Sequence, residues 1–243
     1  MRFFSVPVEA RRESGKYTVL RYRWPGLVEP GQFVMARAAG YPATFDPFLA
    51  RPLSFYDHDG EWASLLFEVR GRGTSLLDRA AKIEVSAPLG RGFRVETSGM
   101  RAALLGGGVG VAPLKILGRR LDELGVKHDV FLGFADGATA VAASDFCGAG
   151  VATMDGSVGT RGTVLDAVPD LGSYATVYAC GPNPMLAAVK RAVGEGKLCQ
   201  LSVEERMGCG NGSCNGCVVP VLGGGYVRSC VEGPVFSAEV LAW

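Results

Sequence analysis

Four of the seven cysteines lie close together near the C-terminus, in the run C-G-N-G-S-C-N-G-C and twelve residues beyond it. The spacing C-x4-C-x2-C with a later fourth cysteine is that of plant-type 2Fe–2S ferredoxins. Small residues between them would let the loop wrap a cluster with its N–H groups aimed at sulfur. A structural zinc site and unligated thiols are the alternatives. The predicted ligands are Cys209, Cys214, Cys217 and Cys230.

The other three cysteines are Cys147, Cys180 and Cys199. Free cysteine is among the most buried residue types, so we expect all three to be small apolar residues of the interior. Cys180 has a second interpretation, because it ends a predicted strand and begins the run C-G-P-N-P-M, where a bound nicotinamide could lie.

A glycine-rich loop follows the predicted strand A-A-L-L and precedes a predicted helix. Its sequence L-L-G-G-G-V-G-V-A-P-L contains G-x-G-x-x-P, and the residues concerned are Gly106, Gly107, Gly108, Gly110 and Pro113. Glycines allow a pyrophosphate to approach the backbone, and the N-terminus of the following helix attracts anions. Since the motif departs from G-x-G-x-x-G, a tight structural turn would also explain it.

A second loop, Cys180-Gly181-Pro182, also ends a predicted parallel strand. Both loops would lie on the carboxyl edge of the sheet, where open α/β folds bind ligands, so they predict a cleft. Asp136 follows F-L-G-F-A and could reach a ribose hydroxyl, although an exposed loop aspartate is an equal alternative. No Arg or Lys stands in F-A-D-G-A-T-A to receive a 2′-phosphate, which favours NAD over NADP.

An arginine motif, Arg51-Pro52-Leu53-Ser54, begins a strand in the first half of the chain, and Gly73-Thr74 follows one strand later. An arginine fork and a helix N-terminus both suit the pyrophosphate of a dinucleotide. Alone, the motif would also fit a solvated arginine on a barrel rim. We expect a short helix over Ser75–Ala81 with Thr74 as its N-cap.

The pattern of strands and helices changes twice along the chain, which predicts a β-barrel plus α/β architecture. Short strands predict an antiparallel β-barrel over residues 1–99, and alternating strands and helices predict a parallel α/β domain over 100–203. Residues 204–243 are a small lobe that needs a cofactor to hold it. The predicted helices of the second domain are Pro113–Leu124, Thr163–Val168 and Pro184–Val193, and a hairpin turn is expected at Gly223–Gly225.

Composition argues against several classes of protein and of binding partner. Hydrophobic residues make up 48% and charged residues 20% of the 243 positions, and no apolar run reaches the ~20 residues of a spanning helix. With 25 basic and 24 acidic residues and no basic stripe, neither nucleic acid nor a membrane is expected as a partner. No secretion signal stands at the start, so the cytoplasm is expected. The two histidines form no acid–base constellation, and no catalytic residue is predicted.

Taken in order, these motifs resemble those of one family over essentially the whole chain. R-P-L-S-F, G-R-G-T, the glycine loop, C-G-P-N-P-M, the cysteine loop and Y-V-R-S-C-V-E-G-P-V-F are similar to the electron-transfer subunits of NAD-dependent (class 1B) dihydroorotate dehydrogenase, within the ferredoxin-NADP reductase superfamily. The resemblance implies that the arginine motif and Gly73-Thr74 bind FAD, together with Phe67, Glu68 and Val69. Relatives often carry a basic residue where Glu68 stands. It further implies that the four clustered cysteines hold the 2Fe–2S cluster, and that the glycine loop and Cys180-Gly181-Pro182 bind NAD.

The resemblance also implies a function in pyrimidine biosynthesis. Electrons from dihydroorotate, oxidised at FMN in a separate catalytic subunit, would pass through the cluster and FAD to NAD, in a heterotetramer with two copies of each subunit. A related NAD(P)H:ferredoxin, polysulfide or sulfite reductase-type subunit is the alternative oxidoreductase. A zinc-stabilised interaction module with a reductase-like body is the alternative that is not an enzyme.

Overall fold

The computed structural model describes residues 1–40, 46–96 and 101–243. The expected boundary between residues 99 and 100 therefore lies outside the described residues. Within the described ranges, no helix is long and apolar enough to span a membrane.

The first part of the chain folds as a closed antiparallel barrel, as predicted. Its strands follow the order β1-β2-β5-β4-β3-β6, so that no strand edge is left open. Leucine, phenylalanine and valine side chains fill the interior, among them the fully buried Leu20, Phe55 and Leu65. The strands are β1 (Phe3–Ser14), β2 (Tyr17–Arg23), β3 (Phe33–Ala38), β4 (Arg51–His58), β5 (Trp62–Glu68) and β6 (Lys82–Ser86).

The helix between β5 and β6 begins earlier than predicted. It is α1, Arg72–Arg79, and Gly71 is its N-cap in an extended conformation. Thr74 is the third helical residue, and its hydroxyl accepts from the Gly71 N–H at 3.2 Å and donates to the Gly71 carbonyl at 3.0 Å. The prediction of Thr74 as N-cap was wrong because a threonine one turn inside the helix can close the same end by reaching backwards.

The second part of the chain is a mostly parallel sheet with helices. Two predicted helices are present with a proline in the first turn, where a missing N–H costs nothing. The predicted helix Thr163–Val168 is only a 3-10 turn, Val164–Ala167, which Thr163 caps. The elements are β7 (Ala102–Gly107), α2 (Ala112–Glu123), β8 (His128–Phe134), α3 (Gly137–Ala140), β9 (Gly150–Thr153), β10 (Thr160–Arg161), β11 (Thr176–Gly181), α4 (Asn183–Val193) and β12 (Leu198–Val203). Further 3-10 turns cover Gly108–Val111, Val141–Asp145 and Leu171–Ser173.

The C-terminal segment leaves the sheet and returns to it. The predicted hairpin is present: β13 (Val218–Pro220) pairs with β14 (Tyr226–Arg228) around three glycines with positive φ. The chain then forms β15 (Val235–Ser237), which pairs antiparallel with β12. The complete sheet has the order β10-β9-β8-β7-β11-β12-β15. The cysteine segment is thus inserted between two neighbouring strands.

The barrel and the sheet share a hydrophobic core. The first four residues of β2 are buried on both faces of the strand, because Leu20 fills the barrel whereas Tyr17 and Val19 pack with residues of the sheet domain. Ion pairs reinforce this junction at its rim. They join Lys16 to Asp136 at 2.7 Å, Arg119 to Asp57 at 2.8 Å, and Arg12 to Asp145.

The turn between β1 and β2 provides a test of this junction. Gly15 has a φ of +61°, and a Cβ there would overlap the carbonyl oxygen of Ala138 in α3. We expect Gly15→Ala to lower the free energy of unfolding by about 2–4 kcal/mol, combining backbone strain with overpacking. Gly60→Ala is the matched control, since Gly60 has a φ of +95° and no atom of the described part of the chain lies within 4 Å of its Cβ position. Chemical denaturation would measure the free energy of unfolding of both variants. An equal loss in the two would contradict the expectation.

Candidate functional site

A cleft of about 380 Å³ separates the barrel from the carboxyl edge of the sheet. One wall is the start of β4 and the end of β5, and the other is formed by the ends of β11 and β12. The structure brings together residues from all three predicted nucleotide motifs. Those that line the cleft are Arg51, Pro52, Leu53, Ser54, Phe67, Glu68, Thr74, Gly110 and Cys180.

Arg51 lies over the first turn of α1. Its guanidinium donates to the carbonyl of Leu49, and a Cβ on Gly73 would lie 2.5 Å from its Cζ. Gly73 therefore does not line the cleft itself, but its missing side chain leaves the space that the guanidinium occupies. A cation beside a helix N-terminus forms an anion-binding position.

The acidic residue Glu68 is neutralised locally. Arg70 donates to its carboxylate at 2.6 Å, and both residues line the cleft. Val69 between them is 43% exposed and does not line the cleft. Sequence analysis missed Arg70, because no pattern marked a single arginine after a strand.

Most of the glycine loop is shaped by packing. A Cβ on Gly106 would lie 2.9 Å from the side chain of Leu114, and one on Gly107 would overlap Met185. Gly110 touches the second loop, since its Cβ would lie 2.5 Å from the carbonyl oxygen of Cys180. For Gly108, with a φ of +55°, the only atom of the described residues within 4.0 Å of its Cβ position is the Tyr17 hydroxyl oxygen. The loop therefore combines a tightly packed turn with one position, Gly108, where a ligand could approach the backbone. Pro113 is buried in the first turn of α2.

The second loop lies directly against the first. Cys180 is 3% exposed, and burial raises the pKa of its thiol. Gly181 and Pro182 lie beside Gly107 and Gly110 without lining the cleft. Asn183 donates to Glu205 at 3.0 Å, which ties this loop to the chain after β12.

The isolated cysteines differ in burial. Cys180 and Cys199 are buried as expected, but Cys147 is exposed, so that prediction was wrong. Cys147 follows a 3-10 turn at the surface instead of lying in a strand, which is why no core surrounds it.

Asp136 is the N-cap of α3. Its Oδ1 accepts from the Thr139 N–H at 2.9 Å and its Oδ2 from Lys16 at 2.7 Å. The Lys16 ammonium and the Thr139 N–H hold the pKa of Asp136 at about 2. Both carboxylate oxygens therefore have partners in the protein.

The segment Glu204–Met207 was not singled out by sequence analysis, although it lines the cleft and leads to Cys209. Its position after β12, on the same edge as the two loops, was the available signal. Glu204 is exposed in the open cleft, and desolvation by the surrounding walls raises the pKa of its carboxyl against the opposing effect of Arg70. Neither histidine lines the cleft.

The four clustered cysteines lie in two pairs. The N–H of Cys214 points at the Cys209 sulfur at 3.4 Å, and the N–H of Gly216 points at the Cys214 sulfur at 3.4 Å. Desolvation raises the pKa of the Cys209 thiol, but backbone N–H groups of Asn211 and Cys214 outweigh it and lower the pKa to about 6. Thiolate stabilised by backbone donors is what an iron–sulfur cluster requires.

The second pair, Cys217 and Cys230, is buried. Desolvation and the neighbouring Cys217 thiol raise the pKa of Cys230 to about 12. Among the described residues, no three Cys, His, Asp or Glu side chains converge on one point that could hold a single ion. Two pairs of thiols suit a cluster with two irons, each bound by two cysteines, better than one tetrahedral zinc.

The fold is that of ferredoxin-reductase-type flavoproteins. The solved NADH-dependent reduced ferredoxin-NADP oxidoreductase is similar over 98% of this chain and 90% of that chain, with a TM-score of 0.84 and 25% identity. Phthalate dioxygenase reductase shares the fold, with a TM-score of 0.62 over 90% of this chain and 87% of its own, at 12% identity.

The particular family follows from sequence relatives. Residues 204–242 match the iron–sulfur cluster binding domain of dihydroorotate dehydrogenase B. The electron transfer subunit of dihydroorotate dehydrogenase B (NAD(+)) from Geobacillus thermodenitrificans is 41% identical over 86% of this chain and 85% of its own. The corresponding subunit of Caldanaerobacter subterraneus is 36% identical over 94% of each chain. The chain belongs to the family of dihydroorotate dehydrogenase B electron transfer subunits.

The ligand assignment can be tested at Cys214, the exposed member of the four. We expect Cys214→Ala to lose most of its iron and acid-labile sulfide while the barrel and sheet stay folded, because no core packing depends on this side chain. Cys147→Ala is the matched control, as it also removes an exposed thiol. Iron and sulfide assays with circular dichroism would measure both, and a Cys214→Ala protein with full iron content would contradict the assignment.

Proposed function

We propose that this chain binds FAD in the cleft and a 2Fe–2S cluster in the cysteine lobe, and transfers electrons from a dihydroorotate-oxidising FMN subunit to NAD. The observation that carries the proposal is continuity: the wall Glu204–Met207 of the cleft runs directly into the first cluster ligand, Cys209. When bound, the flavin exchanges hydride with a nicotinamide and single electrons with the cluster.

The barrel side of the cleft is proposed to hold FAD. Arg51 and the first turn of α1 supply positive charge for the pyrophosphate, while Pro52, Leu53 and Ser54 form the strand against which the flavin lies. Phe67 and Glu68 close the adjoining wall, with Arg70 balancing the carboxylate. The fit is supported by a lining that is mostly apolar but carries the charged Arg51 and Arg70, which suits a planar ring with a charged tail.

The sheet side of the cleft is proposed to bind NAD. Gly108 leaves the backbone of the first loop open, and Gly110 brings the two loops into contact. Cys180 and Gly110 reach the cleft itself, so a nicotinamide held by the second loop would meet the flavin there. The buried Cys180 thiol stays protonated, because burial raises its pKa, and it serves as an uncharged wall.

The cysteine lobe is proposed to carry electrons to or from a partner. Cys214, Asn215 and Gly216 are exposed, so one edge of the lobe is open to another subunit. The partner is proposed to be the FMN-containing catalytic subunit, with two copies of each subunit in the assembly. Cysteines used as cluster ligands suit a reducing compartment, which supports the cytoplasm.

The division into three units is also part of the proposal. Residues 1–99 would form the FAD domain, 100–203 the NAD domain and 204–243 the cluster lobe. This division is supported by the closed barrel, by the mostly parallel sheet and by the separate β13–β14 hairpin. Strand β15 lies in the cluster lobe by sequence but pairs with the sheet of the NAD domain.

The function is tested by purifying the chain anaerobically with its catalytic partner. Addition of dihydroorotate and NAD is expected to produce NADH, followed at 340 nm as absorbance, and omission of this chain should abolish it. The opposite result would be a complex with full flavin, iron and sulfide that forms no NADH from dihydroorotate. If that complex oxidised NADH with ferredoxin as acceptor, the function would be that of a ferredoxin reductase.

The flavin site is tested by two neighbouring glycines. Gly73→Ala would force the Arg51 guanidinium out of its place, whereas the Cβ of Gly71→Ala would have no atom within 4 Å among residues 1–40, 46–96 and 101–243. Because the far end of an arginine moves easily, we expect little loss of folding stability but a roughly tenfold or greater loss of FAD affinity in Gly73→Ala alone, as a charge-assisted phosphate contact is removed. Flavin content after gel filtration would show it, and equal retention by both variants would contradict the role of Arg51.

A further inference from the structure

Arg228 connects the two halves of the cysteine lobe. It ends β14 two residues before the proposed ligand Cys230. Its guanidinium reaches the other half of the lobe, because Nη1 donates at 3.2 Å to the carbonyl of Gly212, which lies between Cys209 and Cys214 in the chain. One side chain therefore bridges the segment that carries the buried cysteine pair and the loop that carries the other pair.

Glu232 holds this guanidinium in place. Its carboxylate accepts from Nε and Nη2 of Arg228 at 3.1 and 2.5 Å, and from the Arg228 backbone N–H at 2.7 Å. These hydrogen bonds hold the pKa of Glu232 at about 2, so both members of the pair are charged at neutral pH. The carboxylate occupies the Nε–Nη2 edge of the guanidinium, which leaves Nη1 directed at Gly212.

The contact with Gly212 orients the backbone around a cluster ligand. Gly212 is buried with a φ of +83°, and a Cβ on it would lie 3.0 Å from Nη1 of Arg228. Its carbonyl and the N–H of Ser213 belong to one planar peptide group, so a hydrogen bond that fixes the carbonyl also fixes the direction of that N–H. Desolvation raises the pKa of the Cys209 thiol, and the Ser213 N–H, which also donates to Asn211 Oδ1 at 3.2 Å, is one of the backbone donors that outweigh it.

The positive charge of Arg228 also lies near the buried cysteine pair. The Glu232 carboxylate raises the pKa of Arg228, and the sulfurs of Cys230 and Cys217 add to that rise. Reduction adds one negative charge to an iron–sulfur cluster, so a cation at this position stabilises the reduced state and raises the reduction potential. The Arg228 and Glu232 side chains are 38% and 30% exposed, so solvent weakens this effect without cancelling it.

We propose that Arg228 positions the peptide between Gly212 and Ser213 toward sulfur and raises the reduction potential of the 2Fe–2S cluster, and that Glu232 holds the guanidinium in place and limits its effect. This inference rests on the proposed cluster site. It gives the ion pair a part in electron transfer, because the potential of the cluster sets how readily it accepts an electron and passes it on.

The test is Arg228→Gln in the chain loaded with FAD and cluster. Glutamine removes the cation and leaves the Glu232 carboxylate uncompensated. At a fixed potential we therefore expect the ratio of reduced to oxidised cluster to fall about tenfold, which for one electron is a shift of about 59 mV to lower potential. A redox titration followed by EPR measures this midpoint, and the FAD of the same sample, followed by its visible bands, should keep its own midpoint.

Glu232→Gln separates the effect of charge from that of architecture. It leaves an acceptor for the guanidinium but removes the negative charge beside it, so the midpoint of the cluster should rise. An ion pair that only stabilises the hairpin would shift neither midpoint, or would shift both in the same direction. Either of these results would overturn the inference, and opposite shifts in Arg228→Gln and Glu232→Gln would support it.

Arg120→Gln is the matched control. Arg120 pairs with Glu123 at 3.0 Å on α2, so its replacement also breaks a local ion pair and removes the same charge, but it should leave the midpoint unchanged. Arg228→Lys keeps the charge without the planar fork, and we expect it to recover most of the midpoint that glutamine loses. A lysine variant that shifts as far as the glutamine variant, or a control that shifts equally, would overturn the role of the Arg228 charge.

Iron and sulfide assays accompany each titration. If Arg228→Gln assembles too little cluster to titrate, Glu232→Gln and Arg228→Lys decide the matter, with midpoints expected above and close to that of wild type. Failure of the proposed function is distinguishable, because a wild-type chain without iron and sulfide fails before any variant is compared. A wild-type cluster with unshifted variants overturns this inference alone.

Discussion

The junction between the barrel and the parallel sheet is the constraint on which the rest of the structure depends. A cleft between two domains keeps its shape only if the domains cannot move apart, and here a continuous apolar core joins them below the cleft floor. Burial of large side chains such as Tyr17 and Tyr56 provides the main stabilisation, at about 25 cal/mol per Å² of apolar surface. The ion pairs at the rim add little energy individually but fix the register of the two domains.

Close backbone approach is the second organising feature. Gly110 lies against the carbonyl of Cys180, so the two loops that follow β7 and β11 form one continuous surface. Asn183 then connects the second loop to Glu205, and from there the chain enters the cysteine lobe. Three segments distant in sequence are thereby held at one edge of the sheet by contacts that larger residues would prevent.

Much of this could be predicted from sequence where the signal is local. A series of short strands indicated the barrel, and the cysteine spacing indicated a binuclear cluster, which the pairing of Cys209 with Cys214 and of Cys217 with Cys230 supports. Features that depend on tertiary contacts could not be predicted from the sequence. The Arg70 partner of Glu68 and the exposure of Cys147 follow from how separate elements meet, and Gly71 serves as a cap only because Thr74 reaches back to it.

Because the chain returns to the sheet as β15, the cysteine segment is a closed loop and not a free C-terminal tail. With β12 and β15 hydrogen-bonded side by side, residues 204–234 form a loop whose two ends are already fastened, so that much of the entropy of closing it is lost when the sheet folds and not when iron arrives. Cluster assembly can then take place on a preformed acceptor. An empty lobe would remain attached to the sheet at both ends.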